Sequence, residues 1–344
     1  MKSRKQQHNW LMLLVGNGYI TLSISILLFG CVSAVTDSNR VLAKDDSSKI
    51  AQSPAATKEN AERLFEEGKT LYQQGSAESL RQAIQKWQEA RLLYRAVGDR
   101  SGESVTFIGI GRVYSALGEK QKALDFYNQA LPILRAVGDS EALRRNRRVE
   151  ATTLNNIGAV YDALGEKQKA LDYYNQALPI RRAVGDSEAL RRNRRGEAIT
   201  LNNIGAVYDA LGQKQKALVF YNQALPIRRA VGDSEALRRN RRGEATTLNN
   251  IGGVYSALGE KQKALDFYNQ ALPIRRAVGD SEALRRNRRG EAVTLNNIGG
   301  VYDDLGEKQK ALDFFNQALP ILRAVGDPYG EVTILDNIRA LGGF

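Results

Sequence analysis

Residues 140–186 read SEALRRNRRVEATTLNNIGAVYDALGEKQKALDYYNQALPIRRAVGD, and this 47-residue unit returns in register along the chain. The recurrence is clearest at a Tyr-x-x-x-Gly pair. It falls at Tyr114/Gly118, Tyr161/Gly165, Tyr208/Gly212, Tyr255/Gly259 and Tyr302/Gly306. A fixed period of about 20–50 residues marks a stacked-repeat architecture. Such proteins present long binding surfaces and seldom carry out chemistry.

Within the unit, Leu154, Ile157, Gly158, Tyr161 and Leu164 form an apolar stripe of helical period. Gly165 is placed to end that helix as a C-cap. A second stripe follows in Ala170, Tyr173, Tyr174, Ala177 and Leu178, closed by Gly185. The expectation is an all-α chain of stacked antiparallel helix pairs. Gly158 and Ala170 lack bulk, so the two backbones can approach closely, with Tyr161 and Tyr174 filling the flanks. Pro132, Pro179, Pro226, Pro273 and Pro320 recur inside the second helix, where each removes a hydrogen bond and is expected to kink it.

The spacing Ile157, Gly158, Tyr161, Ala170, Tyr174, Ala177 resembles the tetratricopeptide repeat (TPR) family. It recurs at Ile110 to Ala130, Ile204 to Ala224, Ile251 to Ala271 and Ile298 to Ala318. A divergent first copy has Gly68, Leu71, Gly75, Ala83, Trp87 and Ala90, with about three extra residues expected in its turn. The resemblance implies a right-handed α-solenoid of six repeats over 59–327, divided at about 59–99, 100–139, 140–186, 187–233, 234–280 and 281–327. A capping helix, Glu331–Leu341, would lie within 328–344. Phrases such as Ala-Leu-Pro-Ile-Arg-Arg-Ala-Val-Gly-Asp are similar to kinesin-light-chain repeats. They are closer to bacterial, especially cyanobacterial, repeat proteins that carry a C-terminal CHAT domain. That domain needs a Cys-His pair, which this chain lacks after residue 31, so no protease activity carries over. A sensor half of a split CHAT-type system remains a reading.

The family unit of about 40 residues is lengthened by seven, Ser-Glu-Ala-Leu-Arg-Arg-Asn at 187–193. Seven residues are close to two helical turns, so an extension of the next first helix would keep its buried stripe aligned. Asp186 would then be the N-cap and Leu190 would share a face with Leu201. An exposed loop is the competing reading. Arg-Arg-Asn-Arg-Arg occurs at 144–148, 191–195, 238–242 and 285–289. Arg144, Arg145, Arg191, Arg192, Arg238, Arg239, Arg285 and Arg286 are the candidates for an anion-binding edge. A solvated edge multiplied by tandem duplication is the plainer alternative.

Asn155, Asn202, Asn249 and Asn296 open an Asn-Asn pair in four repeats. In the family, first helices line the concave groove, and asparagines there bind extended peptide backbone, since an amide both donates and accepts. Hydrogen bonding between repeats is the alternative use. Neighbouring positions hold Thr152, Ala159 and Asp162 where the family's carboxylate clamp has basic residues, so capture of C-terminal carboxylates is not implied. Asp162, Asp209 and Asp303 join the asparagines as partner-binding candidates.

The formal net charge is +12, from 50 Lys+Arg against 38 Asp+Glu. That permits an acidic protein or an anionic envelope surface as partner. Nucleic acid is disfavoured, because aromatics do not interleave with the arginines. Self-association of the stack stays open. The one histidine is His8 and the one cysteine Cys31. Beyond them, His- or Cys-dependent nucleophilic catalysis and Cys/His zinc sites are excluded, and no enzyme activity or cofactor is expected. Residues 1–35 read as a leader, with basic Lys2, Arg4 and Lys5 before an apolar run. It is a cleaved signal, a lipoprotein signal with Cys31 lipidated, or a retained anchor. All three place the chain outside the cytoplasm. Residues 36–58 read as a flexible linker.

Overall fold

The computed structural model describes residues 53–136, 140–183, 187–230, 234–277 and 281–342. The leader readings, including Cys31, lie outside these residues, as do Gly185 and Asp186. The described residues form thirteen α-helices and no strand. They fall into two compact units that meet at Asn146/Arg147.

The first unit holds α1 (Pro54–Gln74), α2 (Ala77–Ala96), α3 (Arg100–Ala116), α4 (Lys120–Ala136) and the start of α5 (Ser140–Ala163). Gly68 lets α1 lie against Trp87, since a Cβ there would stand 2.6 Å from the indole nitrogen. That nitrogen donates to the Phe65 carbonyl at 3.0 Å. Two expectations are corrected. The linker does not run to residue 58, because Ser53 caps α1, accepting from the Ala56 amide at 3.2 Å, and Pro54 occupies the first helical turn. A proline there gives up a donor that has no partner in any case. The three extra residues also do not lengthen the turn. Only Gly75 and Ser76 join α1 to α2, and α2 has 20 residues where α4 has 17. Ser76 caps the earlier start through the Ser79 amide.

The second unit holds the rest of α5, then α6 (Lys167–Ala183), α7 (Ser187–Ala210), α8 (Lys214–Ala230), α9 (Ser234–Ala257), α10 (Lys261–Ala277), α11 (Ser281–Asp304), α12 (Lys308–Val325) and α13 (Pro328–Ala340). Helices α5, α7, α9 and α11 have 24 residues each, against 17 in α3. The difference equals the seven-residue insert, so the insert is helix and the loop reading is set aside. The side chain of Leu190 lies outside the described residues. The cap α13 starts three residues earlier than expected, with Asp327 accepting from the Gly330 amide at 3.1 Å.

Each pair closes in the same way. Gly158 faces Tyr174, and a Cβ would meet its ring at 2.7 Å. Tyr174 is buried, a contribution of about 1.5–3 kcal/mol. Gly165, at φ 81°, donates to the Asp162 carbonyl, and Glu166 to the Tyr161 carbonyl, which closes the helix with two reversed bonds. Tyr161 stacks on Tyr173 at 5.4 Å, with the Lys169 ammonium 5.2 Å above it. Helices α4, α6, α8, α10 and α12 run unbroken through their prolines. Apolar residues of successive repeats merge into continuous cores, as where Leu201, Ile204 and Val207 of α7 pack with Leu171 and Tyr174 of α6.

Candidate functional site

The first helices of the second unit lie side by side, α7 touching α9 and α9 touching α11. Their shared face carries the asparagine pairs. Asn155 Oδ1 accepts from Thr200 Oγ1 at 3.1 Å and from Asn203 Nδ2 at 3.3 Å, both on the next first helix. Asn202 Oδ1 accepts from Thr247 and Asn250, and Asn249 Oδ1 from Thr294 and Asn297, at 3.2–3.4 Å. Asn296 Oδ1 accepts from Asn337 Nδ2 at 2.9 Å. The carbonyl end of each candidate asparagine therefore bridges repeats. Asn155, Asn249 and Asn296 keep partial exposure, while Asn202 is buried. One helical turn on from Asn155, Asn202 and Asn249 come Ala159, Ala206 and Gly253, all partly exposed, so small side chains neighbour the amides on this face.

Lysines anchor the aspartates. Lys167 Nζ lies 2.5 Å from Asp162 Oδ1, and Lys214 Nζ 2.5 Å from Asp209 Oδ1. Asp303 is partly exposed, and its carbonyl takes the Gly306 amide. Asp209 is buried, so it supports the turn rather than presenting charge.

The Arg-Arg-Asn-Arg-Arg segments divide by position. Arg145 is exposed. The side chains of Arg144, Arg191, Arg192, Arg238, Arg239, Arg285 and Arg286 lie outside the described residues. Of the later arginines, one per segment pairs within its own helix. Arg147, Arg194, Arg241 and Arg288 each reach a buried glutamate three residues on, Glu150, Glu197, Glu244 and Glu291. Three of those glutamates also accept from the preceding second helix. Arg182, Arg229 and Arg276 bond Glu197, Glu244 and Glu291 through Nε at 2.8–2.9 Å. Arg289 Nε meets Asp327 at 2.6 Å.

Sequence reading missed Arg181, Arg228 and Arg275. They are buried, with 8%, 6% and 5% of their surface exposed. Each guanidinium lies flat on a glycine of the next first helix, Gly196, Gly243 or Gly290. A Cβ there would stand 2.6–2.7 Å from the guanidinium carbon. Burial first, and a neighbouring arginine second (Arg148, Arg195 or Arg242), press each guanidinium down to about 10. The signal was an exchange between copies: repeats with Arg at this position have Gly fifteen residues on, whereas Leu134 is followed by Val149.

Sequence profiles described as tetratricopeptide repeat match residues 70–136, 139–183 and 233–277, and 198–233 and 292–326. The chain belongs to the tetratricopeptide repeat family. Among solved structures, this TPR chain is similar to BtubC (BKLC) from P. vanneervenii, at TM-score 0.52 and 20% identity over 80% of this chain and 93% of that one. Aspartyl phosphate phosphatase F from Bacillus subtilis aligns at TM-score 0.56 and 15% identity, over 85% and 73%. A Rap protein complexed with Competence and Sporulation Factor aligns at 0.51 and 15%, over 83% and 75%. At these identities the likeness is one of fold. A comparison with curated protein sequences gives no match.

As a TPR protein the chain is an interaction scaffold, and its surfaces hold amides, small residues and guanidinium groups. Among the described residues no group of three His, Cys, Asp or Glu is placed to hold a metal, and no helix is long and apolar enough to cross a membrane.

Proposed function

We propose that this protein is an exported, non-catalytic TPR scaffold that binds an extended polypeptide segment along the face of its first helices. The supporting observation is the row of amides bridging successive first helices, partly exposed at Asn155, Asn249 and Asn296 and buried at Asn202, set beside Ala159, Ala206 and Gly253. Small residues leave room for a main chain to approach, and amides can both donate to and accept from it. Nothing in this arrangement needs a nucleophile or a cofactor. The leader at residues 1–35 supplies the export step.

Peptides selected by phage display on the wild-type chain give the test. Ala159→Leu, Ala206→Leu and Gly253→Leu together would fill the face without touching the buried core. Their anisotropy-measured affinity for the selected peptides should fall at least tenfold. Equal affinity would refute binding at this face.

A second reading is an envelope-tethered adaptor that lies on an anionic surface through its arginine edge. It draws on the half-exposed side chains of Arg147, Arg194, Arg241 and Arg288. Lipid labelling that depends on Cys31, together with retention on anionic liposomes lost on Arg→Gln exchange at 144, 145, 191, 192, 238, 239, 285 and 286, would favour it. Equal retention of both proteins would set it aside.

A further inference from the structure

Five of the six second helices carry the same tripeptide, Ala-Leu-Pro, at 130–132, 177–179, 224–226, 271–273 and 318–320, whereas α2 reads Ala90-Arg91-Leu92. The leucine is a packing residue, since Leu131, Leu178, Leu225 and Leu272 are all buried. A guanidinium does not replace it, because its N–H groups must keep water or an acceptor. In the first unit a cavity of about 420 Å³ opens at this place. It is lined by Gln88, Arg91 and Leu92 of α2, Phe107 of α3, and Phe126 and Gln129 of α4.

The aromatic walls are held from behind. Phe107 is buried, with its ring centroid 6.2 Å from that of Phe126. Phe126 in turn stacks on Tyr114 at 5.4 Å, and the Lys122 ammonium lies 5.3 Å from the Tyr114 centroid. Leu92 is 58% exposed, so its apolar side chain is open to a ligand. Two polar groups of the lining keep unused capacity. Arg91 lies over the Phe107 ring, 5.3 Å from its centroid, and meets no carboxylate among the described residues. Gln129 donates to the Asp125 carbonyl at 3.2 Å, while its own side-chain oxygen accepts from no described residue. Its counterparts further along are engaged. Gln223 accepts from Arg182 and Gln270 from Arg229, each at 3.3 Å, which ties neighbouring second helices together. Arg95 is the α2 counterpart of Arg182, and among the described residues it makes no such bond.

We infer that this cavity binds a small monocarboxylate with an aromatic or branched aliphatic body. The apolar body fits between Leu92 and Phe126 over Phe107. The carboxylate meets Arg91, whose planar fork of N–H donors matches two carboxylate oxygens. Gln88 and Gln129 can donate to or accept from a further polar group of the ligand. Arg91 is the one charged residue of the lining, so a single negative charge is balanced and a second is not. The volume falls within the range of about 300–1,000 Å³ usual for small-molecule sites. The site is built by α2, α3 and α4, and it does not rest on peptide binding along α7, α9 and α11.

Ligand-observed saturation-transfer NMR of the full chain with 3-phenylpropionate, in chloride buffer at neutral pH, tests this. The acid should bind saturably. 3-Phenylpropionamide has the same body without the charge, and it should bind about tenfold more weakly, as loss of a charged hydrogen bond implies. Arg91→Gln should bring acid and amide to equal affinity, a change that a purely structural role for Arg91 would not produce. Arg91→Leu with Leu92→Pro installs the residues of the other second helices and should abolish binding of both compounds. Arg112→Gln, at an arginine that lies over the Tyr72 ring instead, should leave both affinities unchanged. Absence of saturable binding by the wild type, equal binding of acid and amide, or a preference for the acid retained in Arg91→Gln overturns the inference. So does unchanged binding by the Arg91→Leu/Leu92→Pro chain. If that chain does not fold, Arg91→Gln decides. A tetrapeptide ending in phenylalanine tests for a chain terminus as ligand. Its competition at lower concentration than 3-phenylpropionate would overturn the assignment to a free acid.

Discussion

Gly158 and Gly196 sit on first helices for different reasons, and each reason predicts a substitution effect. Gly158 clears the Tyr174 ring, so Gly158→Ala would place a methyl 2.7 Å from a ring carbon that is itself buried. Overpacking of this kind costs about 1–3 kcal/mol. The expected result is faster amide exchange in α5 and α6 than in the other pairs. Exchange at the wild-type rate would show that Tyr174 yields freely. Gly196 clears a guanidinium instead. Arg181→Leu with Gly196→Val removes a buried charge and refills the space. That exchange should be neutral or stabilising, by up to about 1–4 kcal/mol, read as a raised denaturant midpoint. Gly196→Val alone should destabilise, so the pair should show strong coupling in a double-mutant cycle. Additive effects would mean the two groups do not meet in solution. The first glycine was legible in the sequence, because its spacing to Ala170 and Tyr174 follows helical geometry. The second was not. Arg181 and Arg182 are adjacent and chemically identical, and only the crossing of three helices sends one inward to Gly196 and the other to Glu197.

At the scale of elements, the lengthened first helices and the amide ladder between them carry the distinctive structure. The stripe Leu154, Ile157, Tyr161 was enough to place each first helix. The seven added residues were ambiguous, because Asn193 and Gly196 disfavour a helix. The fold overrides that preference, since seven residues add almost two whole turns and leave the buried stripe in line. Deleting Ser187–Asn193 should therefore leave a folded chain with α7 near the 17-residue length of α3. Far-ultraviolet circular dichroism should show a small loss of helix with cooperative unfolding retained. Collapse of the neighbouring repeats would mean the extension is needed for folding. The ladder gives a second prediction. Asn202→Ala would remove the acceptor shared by Thr247 and Asn250; the Thr247 hydroxyl can still donate to the Gly243 carbonyl, so the loss should be that of an ordinary hydrogen bond, about 0.5–1.5 kcal/mol. Amide exchange should rise in both α7 and α9. A rise confined to α7 would show that the bridging bonds add little. The sequence identified these asparagines, but whether they face a ligand, a neighbour or both depends on the offset between adjacent helices, which a single helix does not encode.

At the scale of the molecule, the repeat period alone was sufficient for a stacked fold, because a unit that cannot bury its own apolar face must stack, while the family rested on the resemblance carried by Ile157, Gly158, Tyr161, Ala170, Tyr174 and Ala177. Function is less visible at this scale. The same stack offers an amide-lined face of first helices and an arginine-rich edge, and the residues of both recur in the same four of the six repeats. Hydrogen exchange with and without a display-selected peptide distinguishes the surfaces most directly. The expected result is protection concentrated in the first helices α7, α9 and α11 around Asn202, Asn249 and Asn296, with the second helices unchanged. Protection confined to the second helices or to the arginine segments, or no peptide selected at all, would contradict binding along the first-helix face.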